Sequence, residues 1–191
     1  MKIDDAFTYW DSRTSPEDME EMWNHPEVHK QWMKSREKKG QVRFFLDAEK
    51  RLYLSRIELR AVAEIILSKH FSSQPSLCAI VEIISARFID GIGPRIGLTG
   101  IDYATAEWLH NELGYKAYKV ESAEDLRRPF VSMYFGAAYM TWLSTYEGRE
   151  RSLQFIVQAY LGGPKNTNLE EPCPEWLKYE EALSYYGEMK R

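Results

Sequence analysis

Residues 135–164 have the sequence FGAAYMTWLSTYEGRERSLQFIVQAYLGGP and decide the fold, because they contain two helical patterns joined by a polar turn. Apolar side chains recur at helical spacing in both halves, over 138–146 and again over 155–160. Gly148 is suited to end the first helix, and Ser152 is suited to cap the second. Two glycines and a proline then stop the second helix. The stretch therefore predicts a helical hairpin.

Residues 1–54 are predicted to form an N-terminal extension that packs on the main domain. The sequence Ser15-Pro16-Glu17-Asp18 is typical of a helix start, and a second helix is expected from Pro26 to about Lys38. The segment 41–54, QVRFFLDAEKRLYL, contains two short β-prone pieces and predicts a small hairpin. The apolar side chains expected to face inward are Met19, Met22, Trp23, Val28, Trp32 and Met33.

Residues 55–191 are predicted to form the main domain, which is again mostly helical. Ser55 and Glu58 match a capping box and open a helix to about Phe71. Between the helices, residues 88–101 carry four glycines and a proline, which is typical of a loop with an unusual backbone. Further helices are expected over 75–88, 103–113 and 174–186, and Asp102 is suited to cap the second of these.

The hairpin resembles the last two helices of the soluble lytic transglycosylase family, which is related to goose-type lysozyme. In that family a "G.AYL..L" helix precedes a helix that ends in "AYN.GP". The matching residues here are Gly136, Ala138, Tyr139, Met140, Leu143, Ala159, Tyr160, Gly163 and Pro164. Leu161 stands where the family has asparagine. The resemblance implies a mainly α, lysozyme-like fold with one small β-hairpin.

The resemblance extends upstream to the region where the family places its catalytic acid. Residues 97–101 and 104–106 resemble the "GLMQ" and "P.TA" elements, with Thr99 and Gly100 in place of methionine and glutamine. Residues 79–85 resemble the helix end "A.IE.ES", and this alignment puts Ile84 at the position of the general-acid glutamate. Isoleucine has no proton to donate to a glycosidic oxygen. A second alignment, counted back from Gly97, puts Glu82 there instead.

The first 70 residues resemble a group of plant lysozyme-like proteins that carry one transglycosylase-type domain. The similar segments are Tyr9-Trp10-Asp11, the acidic run from Pro16 to Glu20, and Met22-Trp23. That group keeps a glutamate before the serine and has a longer loop before "G.MQ". The resemblance thus covers nearly the whole chain and implies that the ancestral activity has been lost.

Composition and charge argue against several classes of protein. The chain has 191 residues, is 44% hydrophobic and carries a formal net charge of -4, which gives no electrostatic basis for binding nucleic acid or a membrane surface. The first residues lack the apolar core of a secretory signal, and no stretch is apolar enough to span a membrane. The cysteines, Cys78 and Cys173, are typical of reduced thiols, so a cytoplasmic location is expected.

No metal or cofactor site is predicted. His25 and His29 are four residues apart, but Pro26 lies between them and no acidic partner completes a metal-binding helix. They are expected to be exposed histidines at helix ends. The glycine-rich loop matches neither of the common phosphate-binding patterns.

We therefore expect a degenerate lysozyme-like protein whose former sugar cleft has become more apolar and binds a small organic ligand or a protein partner. Two alternatives stay open: a repurposed enzyme that acts on a small plant metabolite, and a residual glycan-cleaving enzyme that uses Glu82. If the protein is degenerate as expected, Glu82 should be a solvent-facing carboxylate on its helix. The residues expected to line the cleft are Ser85, Arg95, Thr99, Gly100, Tyr103, Tyr139, Tyr160 and Leu161.

Overall fold

The computed structural model describes residues 9–34, 41–71, 76–170 and 173–187. This part of the chain is mainly helical with one two-stranded antiparallel sheet, which confirms the predicted fold class at that level. Within it, no helix is long and apolar enough to cross a bilayer. The described residues form eight α-helices: α1 (Pro16–Asn24), α2 (Pro26–Lys34), α3 (Arg56–His70), α4 (Leu77–Ser85), α5 (Tyr103–Asn111), α6 (Pro129–Ser144), α7 (Leu153–Gly162) and α8 (Pro174–Ser184).

Most helices begin where the sequence predicts, because a side chain satisfies a free backbone N–H group there. Ser15, Asp102 and Ser152 each accept a hydrogen bond from the backbone three residues later. The capping box of Ser55 and Glu58 is also present. These predicted helix starts are confirmed.

Helix ends are predicted less well. Helix α4 ends at Ser85 rather than near Phe88, because Ala86 and Arg87 adopt positive φ angles of 47° and 68°. The first helix of the hairpin ends at Ser144, and a single 3₁₀ turn at Tyr146–Gly148 follows it. The expected start of α4 at residue 75 and the expected end of α2 near residue 38 lie outside the described residues.

The predicted hairpin is confirmed and consists of β1 (Phe45–Leu46) and β2 (Leu52–Tyr53). Phe45 pairs with Tyr53, and Leu46 pairs with Leu52. In the turn, Asp47 accepts backbone hydrogen bonds from Glu49 and Arg51. The hairpin is thus closed by a local carboxylate.

Helix α6 forms the centre of the core. Residues 129–138 are all buried, and α6 packs against α3, α5 and α7. A helix that is apolar on all sides is typical of such a central position. The helix begins at Pro129, so it is longer at its N-terminal end than the stretch from residue 135 suggests.

The N-terminal extension and the main domain share one hydrophobic core. Trp10 and Trp32 each donate an indole N–H bond to Oε2 of Glu58, at 2.9 and 2.8 Å. Burial raises the pKa of Glu58, and these donors, together with the Ser55 backbone, oppose the shift. Of the side chains expected to face inward, Met33 is 52% exposed because it lies on the outer side of α2. The sequence boundary after Leu54 does not separate two cores.

Candidate ligand-binding site

A cavity of about 410 Å³ lies between the glycine-rich loop, the start of α5, the 3₁₀ turn Ala123–Arg127 and the hairpin of α6 and α7. Its volume is in the range of small-molecule sites. Six of the eight residues expected to line a cleft lie in its wall: Arg95, Gly100, Tyr103, Tyr139, Tyr160 and Leu161. The structure therefore brings together residues that are up to 66 positions apart in sequence.

The other two, Ser85 and Thr99, lie behind the wall and are fully buried. The Ser85 hydroxyl donates to the Leu98 carbonyl at 2.8 Å. The Thr99 hydroxyl donates to the Ser132 carbonyl at 2.9 Å. Their hydroxyls are used to hold the loop against α4 and α6, so neither side chain faces the cavity.

Gly136 allows the loop to approach α6 closely. A Cβ atom at this position would lie 2.7 Å from Cγ2 of Thr99, which is too short for a carbon–carbon contact. The glycine of the "G.AY" pattern therefore has a packing role, since it lets the wall of the cavity lie directly on the central helix.

Ile84 packs against Gly100. A Cβ atom on Gly100 would lie 2.6 Å from Ile84 Cγ2 and 3.0 Å from Arg95 Cδ, and the Gly100 φ angle of +63° also favours glycine. Ile84 does not itself line the cavity. Its side chain supports the loop from beneath and has no titratable group.

Two hydrogen bonds join the end of α7 to the loop. Nη2 of Arg95 donates to the Leu161 carbonyl at 2.8 Å. The Tyr160 hydroxyl donates to the Thr99 carbonyl at 2.9 Å. Because Tyr160 and Arg95 are each held at one end, the shape of the cavity is largely fixed by the protein.

The tyrosines of the wall are poor proton donors at neutral pH. Burial raises the pKa of Tyr139 and of Tyr160 above the ordinary value. A hydrogen bond to Glu107 raises the pKa of Tyr103. Among the described lining residues, Asp102 is the single carboxylic acid, and its Oδ1 accepts the backbone N–H of Thr105 at 2.7 Å. Glycoside hydrolysis ordinarily uses two carboxyl groups.

Glu82 does not line this cavity. It lies in a charged cluster, in which its Oε1 is 3.0 Å from Nε of Arg56 and 2.8 Å from Nε of Arg87. The Tyr186 hydroxyl donates to the same oxygen at 3.0 Å. Its side chain is only 8% exposed, so the expectation of a solvent-facing carboxylate is wrong. Both arginines line a separate, more open groove beside the hairpin.

The two histidines do not meet at a common point. His25 Nε2 lies 2.9 Å from a carboxylate oxygen of Glu64, whereas His29 Nδ1 lies 3.0 Å from the Trp23 carbonyl. Both are partly buried rather than exposed. Within the described ranges, no group of three or more potential ligands could hold a metal ion.

Several lining residues were not expected from the sequence. Asp102 is identified there only as a helix cap, and Thr105, Ala123 and Leu126 are not singled out. The position of Asp102 directly after the glycine-rich loop is the signal that could have found it, since the start of a helix often faces a ligand. Ala123 and Leu126 come from the 3₁₀ turn Ala123–Arg127, whose place in the wall depends on packing with residues distant in sequence.

Similarity to known proteins adds no constraint on this cavity. No protein-family model, curated protein or solved structure matches the chain. The chemistry of the site must therefore be inferred from its own residues.

Proposed function

We propose that this chain is a catalytically degenerate protein of lysozyme-like fold that binds a small organic molecule in the cavity beside the glycine-rich loop. The fold name and the loss of activity rest on the resemblance of the sequence to lytic transglycosylases. The observation that carries the proposal is the pairing of Ile84 with Gly100, because an apolar side chain supports the wall at the position that the resemblance assigns to a general acid.

The position of Glu82 supports the same interpretation. A general acid must come within hydrogen-bond distance of the leaving oxygen. Glu82 is instead held by Arg56, Arg87 and Tyr186, away from the cavity. Residual glycan cleavage by Glu82 is therefore the less favoured proposal.

The composition of the wall suits a small ligand. It combines aromatic rings and aliphatic side chains with the charged groups of Arg95 and Asp102, which can orient a small organic molecule. A cytoplasmic site of action is part of the proposal, and the lack of a disulfide between the described residues Cys78 and Cys173 supports it.

The first test is turnover of chitin oligomers and peptidoglycan by the wild type, Glu82→Gln and Ile84→Glu. We expect no turnover by the wild type, and slow cleavage by Ile84→Glu would support the assignment of that position. Wild-type cleavage that is abolished in Glu82→Gln would contradict the proposal.

The second test is a thermal-shift screen of a fragment library, repeated with Ala123→Trp. Ala123 lines the cavity, so an indole there fills space that a ligand needs. Fragments that bind in the cavity stabilise the wild type in a concentration-dependent manner and lose this effect in the variant. Ala104→Trp is the matched control, because Ala104 is exposed and lies outside the cavity. Hits that bind Ala123→Trp as well as the wild type would contradict the proposed site.

A further inference from the structure

Arg95 is a partly exposed arginine in the wall of the cavity. Among the described residues, it forms no ion pair, and its one hydrogen bond is the bond from Nη2 to the Leu161 carbonyl. A guanidinium group has five N–H donors, so most of its donors are available. Four of the five other partly exposed arginines, Arg13, Arg87, Arg127 and Arg151, each lie beside a carboxylate; the fifth, Arg128, lies outside the cavity and has no ion pair among the described residues.

The free part of Arg95 belongs to the cavity wall. A charge in a partly desolvated site is usually paired with an opposite charge. The carbonyl of Leu161 fixes the guanidinium group, and this reduces the side-chain entropy of Arg95 that would be lost when a ligand binds. A carboxylate is the natural partner, since it matches the planar guanidinium through two parallel hydrogen bonds.

Asp102 limits the charge of the ligand. It is an exposed carboxylate that lines the same cavity as Arg95 and Tyr139. The described lining thus contains one cation and one carboxylate. A ligand with two or more negative charges, such as inorganic phosphate, would be repelled by Asp102 without a second cation to balance it.

Tyr139 offers a flat, oriented surface next to Arg95. Its ring stacks on Trp142 with an interplanar angle of 15° and a centroid distance of 5.8 Å. It also lies 5.3 Å from the ring of Tyr160. Offset stacking favours a planar partner, so the apolar part of the ligand is best matched by an aromatic ring.

We propose that the cavity binds an aromatic monocarboxylate, with the carboxylate on Arg95 and the ring against Tyr139. This inference rests on the proposed function, because it names the ligand class of the same cavity.

The test compares cinnamate and benzoate with their neutral amides, cinnamamide and benzamide, by calorimetric titration at low salt. Inorganic phosphate is the third probe. We expect each carboxylate to bind the wild type at least about tenfold more tightly than its amide, because the charge-assisted hydrogen bonds are lost in the amide. Phosphate should bind more weakly than either carboxylate.

Arg95→Gln should weaken binding of the carboxylates by about tenfold and leave the amides nearly unchanged. Arg95→Lys keeps the charge but loses the planar guanidinium, so its affinity for the carboxylates should lie between those of the wild type and Arg95→Gln. Arg149→Gln is the matched control, because Arg149 is exposed and outside the cavity. Thermal unfolding of each variant verifies that it is folded.

Three outcomes would overturn the inference. The first is equal binding of carboxylates and amides, and the second is no binding of either pair at millimolar concentration. Either of these two results would reject the ligand class but not the proposed function, which the fragment screen tests separately. The third is selective carboxylate binding that persists in Ala123→Trp, since this would place the anion site elsewhere and would also count against the proposed cavity.

Discussion

Two opposite faces of α4 differ in chemistry, although the residues that represent them, Glu82 and Ile84, are only two positions apart in sequence. On one face, Glu82 is enclosed by Arg56, Arg87 and the hydroxyl of Tyr186. On the other face, Ile84 packs against Gly100 under the wall of the cavity. Two residues correspond to about 200° around a helix, so the side chains point in nearly opposite directions.

This difference shows that the presence of a glutamate in a helix does not indicate which face of the helix, and which surroundings, its carboxylate occupies. The Glu82 carboxylate is paired with two arginines and a tyrosine hydroxyl. These contacts join α4 to α3 through Arg56 and to the segment after α8 through Tyr186. The face toward the cavity has only an aliphatic group. A distance of two residues along α4 therefore separates a charged face, which carries Glu82, from an apolar face, which carries Ile84.

The largest expected effect is the loss of the Glu82 carboxylate. Glu82→Gln leaves two arginines without an anion, one of them only 20% exposed, and should lower the free energy of unfolding by about 3 kcal/mol. Ile84→Val on the opposite face should cost about 1 kcal/mol. Urea denaturation at neutral pH measures both, with the exposed Glu150→Gln as a neutral control. Equal costs on the two faces would contradict the comparison.

The next effect concerns the contact between Ile84 and Gly100. Gly100→Ala should cost about 2–3 kcal/mol, because a positive φ angle and a steric clash both act there. Gly93→Ala isolates the first contribution, since Gly93 has a φ of +62° and no atom within 4 Å of an added Cβ. It should cost about 1 kcal/mol.

A double-mutant cycle sharpens this prediction. In an Ile84→Ala background the cost of Gly100→Ala should fall toward that of Gly93→Ala, because the nearest atom has been removed. Chemical denaturation of the four proteins gives the coupling energy. Strict additivity would mean that Ile84 does not support the loop.

The smallest effect is expected at Tyr186. Its hydroxyl donates to Glu82 at 3.0 Å, and burial, with the nearby Cys78 and Glu82, raises its pKa. Tyr186→Phe should lower stability by about 1 kcal/mol, as for one hydrogen bond to a charged acceptor that keeps other partners. The thermal midpoint compared with that of Tyr185→Phe, whose ring is exposed, measures the difference. An unchanged thermal midpoint in Tyr186→Phe would mean that the hydrogen bond from Tyr186 to Glu82 does not contribute to stability.

The sequence predicts the helical class and most helix starts because these depend on local hydrogen bonds. Ser15, Ser55, Asp102 and Ser152 cap helices through residues only three positions away. The end of α4 was not predictable in this way. The positive φ angles of Ala86 and Arg87 have no local signature, since neither residue favours them.

The site was predictable only in part, because sequence spacing identifies a face but not the depth of a side chain. Arg95 and Tyr160 do lie at the cavity, whereas Ser85 and Thr99 are buried behind its wall. The surroundings of Glu82 were also not predictable. Its partners come from Arg56 and Tyr186, which are 26 and 104 positions away.

The bond between the two tryptophans and Glu58 has a consequence for how the chain unfolds. The extension supplies both indole donors, and the main domain supplies the fully buried acceptor. Detachment of Trp10 and Trp32 would break both indole hydrogen bonds and leave Glu58 with the bond from the Ser55 backbone, so a half-docked intermediate is disfavoured. One carboxylate oxygen thus couples the described part of the extension to α3, and a change in indole fluorescence is expected when the two separate.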